Sequence, residues 1–250
     1  MDLLRRPVRL TVLLAALLAG LAALPVRAFD TAGYDKGLLW KIERAGAPPS
    51  YVFGTIHSED ARVLTLPRPV QQAFDGARCY VMEAVLDDAA MTRMGTRMLF
   101  DDGRDLQQVL DPPLYRRTVA ALADHGLPEF ALRMMKPWAL AMSLSMPKPE
   151  TGQFLDLVLM QQARAQHKPV AGLETVDEQL AIFDRMPMPD QVDMLEESLK
   201  ELPELDRVFA ALHRDYLARD LAGLARLNEE QTLRGKPELG EKMMAQLLDA

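Results

Sequence analysis

A chain of 250 residues, 49% hydrophobic and 26% charged, is long enough to bury a sizeable core and is not of disordered composition. Its formal net charge of −7 has the wrong sign for neutralising phosphates, so nucleic acid is not an expected partner. The single cysteine, Cys79, rules out an intramolecular disulfide. No two of the 4 histidines, His57, His125, His167 and His213, lie within a helical turn, which excludes an H-E-x-x-H zinc site; a C-x-x-C site fails on the cysteine count.

Arg5, Arg6 and Arg9 precede an apolar run from Leu10 to Leu24, and Val26-Arg27-Ala28 places small residues at positions −3 and −1 of a cleavage site. The run is shorter than the roughly 20 residues of a spanning helix. Residues 1–28 are therefore expected to be a secretory signal peptide cleaved after Ala28. The domain over 29–250 is then periplasmic or secreted, with no stable membrane span. Four arginines and Asp2 give the first 28 residues a net +3, so the mature remainder carries −10.

The domain opens with two strand-like runs, 38–42 and 51–53, separated by Ala45-Gly46-Ala47-Pro48-Pro49-Ser50, the pattern of a hairpin with a longer loop. A third strand is expected over 79–85 and a short fourth over 169–173, ending on Glu174. Helices fill the interval between them. Asp111-Pro112-Pro113 reads as an N-cap with prolines in the first turn, followed by Leu114, Thr118 and Leu122 at spacing four, with Gly126 as the stop. A further helix runs from Glu129 to Met135, Lys136-Pro137-Trp138 kinks it or starts another, and residues 155–166 form a helix feeding the fourth strand. Everything after Glu174 reads as helical. The expected fold is α/β: a small mixed sheet with an N-terminal hairpin, covered by many helices.

Three residues at strand ends are candidates for chemistry. His57, after Gly54-Thr55-Ile56 and beside Glu59 and Asp60, suits a metal ligand or a base; the alternative is a histidine satisfied by a backbone carbonyl. Gly54 would allow a close approach or an unusual backbone angle. Glu83 interrupts an apolar strand, where an unpaired carboxylate is costly, unless it reaches solvent. Glu174 ends the fourth strand, its alternative being the cap of a helix at Asp177-Glu178. Cys79 is expected as a buried small hydrophobe, the helical rows Met91, Met94, Met98 and Met135, Met142, Met146 as core packing, and His125, His167 and His213 as solvated or capping residues.

Leu39-Trp40-Lys41-Ile42, Tyr51-Val52-Phe53-Gly54-Thr55-Ile56-His57, Met82-Glu83, Lys136-Pro137-Trp138 and Gly172-Leu173-Glu174-Thr175 together resemble the TraB/GumN family, whose animal relatives are the TIKI proteases. The resemblance implies an erythromycin esterase- or ChaN-like fold. It also implies metal-dependent hydrolysis of a peptide or other small-molecule substrate, with two Gly-x-x-His motifs and a glutamate. On this chain the first motif is Gly54 and His57, the glutamate is Glu83, and Glu174 is an added catalytic candidate. His57 and Glu83 would hold a divalent metal ion. Of the glycines after Gly172, Gly223, Gly235 and Gly240, none has His three positions on. The expectation is therefore a truncated or degenerate member whose metal is weakly held, the alternative being an envelope protein that binds a peptide or small ligand without cleaving it.

Overall fold

The computed structural model describes residues 35–148 and 150–234; the expected signal peptide lies outside them. Strands β1 (Leu39–Ile42) and β2 (Ser50–Phe53) form an antiparallel hairpin in the register Leu39↔Phe53 to Ile42↔Ser50, its loop turning at Gly46 with φ +77°. Strands β3 (Tyr80–Ala84) and β4 (Val170–Glu174) pair in parallel, with Met82 opposite Gly172 and Ala84 opposite Glu174. The architecture is mixed α/β and mostly helical, as expected. The single mixed sheet is not: the two pairs are separate sheets. The reason lies just after β2. There Gly54 N–H donates back to Leu38 O (2.8 Å) and Gly54 O accepts the Tyr216 hydroxyl (3.0 Å), so a helix takes a backbone group that a neighbouring strand would need.

Before β3 come α1 (Ala61–Leu64) and α2 (Arg68–Gly76). The long crossover from β3 to β4 contains α3 (Asp88–Arg97), α4 (Leu106–Val109), α5 (Pro112–Leu122), α6 (Glu129–Met134), α7 (Pro137–Leu144) and α8 (Leu155–Ala165). After β4 follow α9 (Val176–Asp184), α10 (Met188–Glu201), α11 (Leu205–Leu217) and α12 (Leu221–Arg234). The caps follow the local chemistry. Asp111 accepts Leu114 N–H (2.7 Å) with prolines in the first turn of α5, and Gly126 stops the chain beyond it at φ +73°. Lys136-Pro137 begins α7 rather than kinking α6. The residue that caps α9 is Thr175, not Glu174: it forms a reciprocal capping box with Glu178.

Two apolar clusters hold these elements. The larger is centred on α7, where Trp138, Ala139, Leu140 and Ala141 are fully buried and the Trp138 ring stacks on Phe183 at 5.8 Å. The smaller joins Leu38, Ile56, Val63, Leu155, Leu159 and Tyr216, and packs beneath the end of the hairpin. Cys79 is exposed, contrary to expectation. It precedes β3 in line with Val81, which is itself 49% exposed, and beside Leu173 at 68%: among the described residues nothing buries this end of the sheet face. None of the described helices is long and apolar enough to cross a membrane.

Candidate functional site

The chain from Gly54 to Asp60 leaves the hairpin and passes between α8 and α11. His57 leans toward α8. Its Nδ1 lies 2.9 Å from Asp156 Oδ2, while Asp156 Oδ1 accepts the Thr55 hydroxyl at 2.7 Å. Asp156 is 8% exposed and sits in the first turn of α8, where the helix N-terminus favours a negative charge. With Nδ1 donating to this carboxylate, the neutral His57 ring is fixed in one tautomer and Nε2 is the nitrogen that can take a proton. Phe154 packs against the same ring edge-to-face at 5.3 Å. Burial works against protonation of His57, but the hydrogen bond and charge of Asp156, with the charge of Glu83, outweigh it and raise its pKa.

Glu83 is the last residue but one of β3 and is half-buried. Burial above all, then the Asp156 carboxylate, push its pKa up to about 7; His57 opposes the shift and Glu174 adds slightly to it. His57, Asp156 and Glu83 therefore lie within electrostatic reach of one another, and Glu83 holds its proton close to neutrality. Glu174 is on the neighbouring strand, opposite Ala84. By the two-residue period that is the other face from Glu83, and its carboxylate accepts Gln179 Nε2 at 3.0 Å. The structure thus sets His57 and Glu83 beside Asp156, while Glu174, near enough for its charge to reach Glu83, is held by Gln179 on the other face of the strand pair.

The flanking acids serve local structure. Glu59 accepts the backbone N–H groups of Glu150, Thr151 and Gly152 and the Thr151 hydroxyl, at 2.6–3.0 Å. Asp60 caps α1 and grips Arg62. Gly54 needs no special freedom: a Cβ there would meet Leu38 at an ordinary 3.8 Å. The demanding glycine is Gly172, where a Cβ would lie 2.8 Å from Glu174 O and 3.3 Å from Val85 N. An open groove of about 390 Å³, lined by Leu64, Leu66, Leu155 and Val158 among others, includes none of the site's titratable groups.

The order Gly54-Thr55-Ile56-His57, Glu83 and Gly172-Leu173-Glu174-Thr175, now placed at the ends of two small sheets, agrees with the family model of TraB/PrgY/gumN, which matches residues 38–249. The chain belongs to the TraB/PrgY/gumN family. Among its relatives, Metalloprotease TIKI1 of Danio rerio is 34% identical over 102 residues, 40% of this chain and 19% of that protein. Metalloprotease TIKI2 of Xenopus tropicalis is 26% identical over 191 residues, 64% of this chain and 36% of its own. The chain therefore matches well under two thirds of the length of these relatives. No solved structure matches it.

A divalent ion, the cofactor that the family resemblance implies, can be tested against the described residues of this TraB-family chain. Among them no three His, Cys, Asp or Glu side chains are grouped so as to hold a metal ion. His57 has Nδ1 committed to Asp156, and Glu174 is turned to Gln179. The described residues thus do not fit a complete metal centre, which needs about three protein ligands. Sequence reasoning missed Asp156 and Thr55. The signal for Asp156 was a carboxylate placed between Leu155 and Leu157 in an apolar stretch.

Proposed function

We propose that this TraB/PrgY/gumN-family protein is an exported hydrolase acting on peptide bonds, with His57 and Glu83 as its acid–base pair. The observation that carries the reading is the juxtaposition of a histidine oriented by a buried carboxylate with a half-buried glutamic acid whose pKa is pushed up to about 7. Glu83 keeps its proton close to neutrality, His57 has its proton affinity raised by Asp156 and Glu83, and the charged form of each favours that of the other, so the pair shares protons: one takes a proton from water while the other gives one to the leaving amine. Asp156 keeps the His57 ring aligned through both steps. Peptides are the substrate class because the TIKI relatives are named metalloproteases. That name also makes metal dependence something to measure. Export rests on residues 1–28.

The test uses the purified mature chain and a library of quenched fluorescent peptides, with and without chelator and added divalent ions. Cleavage is expected, with His57→Ala and Glu83→Gln each lowering kcat at least about 100-fold. Variants that cleave as fast as the parent would overturn the assignment. Peptide binding without turnover in the parent would favour the non-enzymatic alternative. Intact-mass measurement of exported protein should show a chain starting at Phe29.

A further inference from the structure

His213 was expected to be a solvated or capping helix residue. Instead it turns inward from α11, and its Nε2 lies 2.8 Å from the hydroxyl of Ser58, the residue after His57. Its side chain is 21% exposed and packs edge-on against Phe209. One turn further along α11, the Tyr216 hydroxyl donates to Gly54 O at 3.0 Å. Helix α11 therefore grips both ends of the segment whose middle is gripped by Asp156 of α8. Ser58, His213 and Asp60 stand in the order of a nucleophile, base and orienting carboxylate, but the geometry does not serve that chemistry. Ser58 is only 7% exposed, and its oxygen already accepts Asp60 N–H at 3.1 Å. Asp60 Oδ2 stays 3.8 Å from His213 Nδ1 while Arg62 holds the same carboxylate.

What the arrangement does serve is position. We propose that His213 is a positioning residue for His57, acting through Ser58: α11 fixes from one side the backbone that Asp156 fixes from the other. His57 and Ser58 are adjacent yet reach different helices, α8 and α11, so slack at either contact displaces the peptide between them. The inference rests on the reading that His57 is the acid–base group. A displacement of about 1 Å at such a group costs up to roughly 100-fold in rate.

The experiment is ¹⁵N NMR of the histidine side chains at about pH 9, where neutral imidazole reveals its tautomer. The parent His57 is expected as the Nδ1–H form held by Asp156. His213→Leu should convert it to a mixture of tautomers and lower kcat about 10- to 100-fold with KM within about twofold. His213→Gln, which keeps a hydrogen-bonding group toward Ser58, should restore the parent signal. Ser58→Ala, a smaller change, should reproduce the His213→Leu spectrum and decides the matter if His213→Leu fails to fold. A parent-like His57 tautomer in Ser58→Ala or in folded His213→Leu overturns the proposal. A changed tautomer in a protein whose parent cleaves no peptide upholds the positioning role and overturns the hydrolase reading instead.

Discussion

The two apolar clusters are built on different principles. In the larger one, around α7, the buried polar residues close on nearby backbone: Thr118 donates to Leu114 O and Gln191 to Met186 O, both at 2.9 Å. In the smaller one, buried polar groups reach across the chain. Asp156 bonds residues 99 and 101 positions away, Ser58 meets a residue 155 away, and Tyr216 one 162 away. The first cluster is held by burial of apolar surface, a non-directional force proportional to area. The second adds directional bonds, each worth only about 1 kcal/mol net but costly to leave unmade. Stability is thus concentrated in one cluster, and the fixed geometry of the candidate site in the other.

The largest effect expected from breaking this contrast is in the α7 cluster. Trp138→Ala should cost about 3–5 kcal/mol, measured by urea denaturation, because it empties a fully buried site. Trp138 Nε1 has no hydrogen-bond partner among the described residues, so Trp138→Phe removes an unsatisfied N–H along with some volume and should cost clearly less. Equal losses for the two variants would show that the ring's nitrogen is satisfied after all.

Next in size is a pair of glycine variants. Gly172→Ala drives a Cβ to 2.8 Å from Glu174 O, where backbone has to shift; the expected loss is about 1–3 kcal/mol. Gly54→Ala meets nothing closer than 3.8 Å and should change stability by less than about 0.5 kcal/mol. A reversed order would place the close approach in the wrong sheet.

That glycine pair also shows where the sequence was legible. Both glycines stand before functional-looking residues, and nothing local distinguishes Gly172, pressed on β3 by strand pairing, from Gly54. The elements were readable because their signals are local: Asp111-Pro112-Pro113 starts α5, and the strand runs mark β3 and β4 to within a residue. Sheet membership was not, since four- and five-residue strands carry no mark of their partners. For the site, His57 and Glu83 stood out at strand ends. Asp156 is marked locally only as a carboxylate between two leucines in a helix's first turn, and His213 as one polar residue on an amphipathic helix. Their meaning comes only from Thr55, His57 and Ser58, 99 to 155 positions away.

A smaller effect belongs to the cap that follows β4. Thr175→Ala removes the acceptor for Glu178 N–H and the partner of the Glu178 carboxylate. The expected loss is about 1 kcal/mol in urea. Because Gln179, on the same first turns of α9, holds Glu174, the variant tests whether Glu174 takes part in the reaction: a parent-like kcat with lowered stability would confine Glu174 to a structural role.

The remaining effect on stability, at Glu83, depends on pH, and its sign is fixed by the proton the carboxyl holds. In the folded protein the carboxyl stays protonated up to about pH 7, whereas in the unfolded chain it releases its proton near the ordinary 4.5. Between those values the folded state binds the extra proton, so the Glu83 contribution falls as pH rises through that window. Below it both states are protonated and the penalty is absent. Glu83→Gln carries a neutral side chain at every pH. The variant should therefore match the parent in urea denaturation at pH 4 and be the more stable of the two at pH 8. Parallel curves over that range would mean that Glu83 ionises in the folded state as it does in the unfolded one. Its place beside Asp156 and His57 would then lend it no proton to give near neutrality, and the acid–base pairing would fail with it.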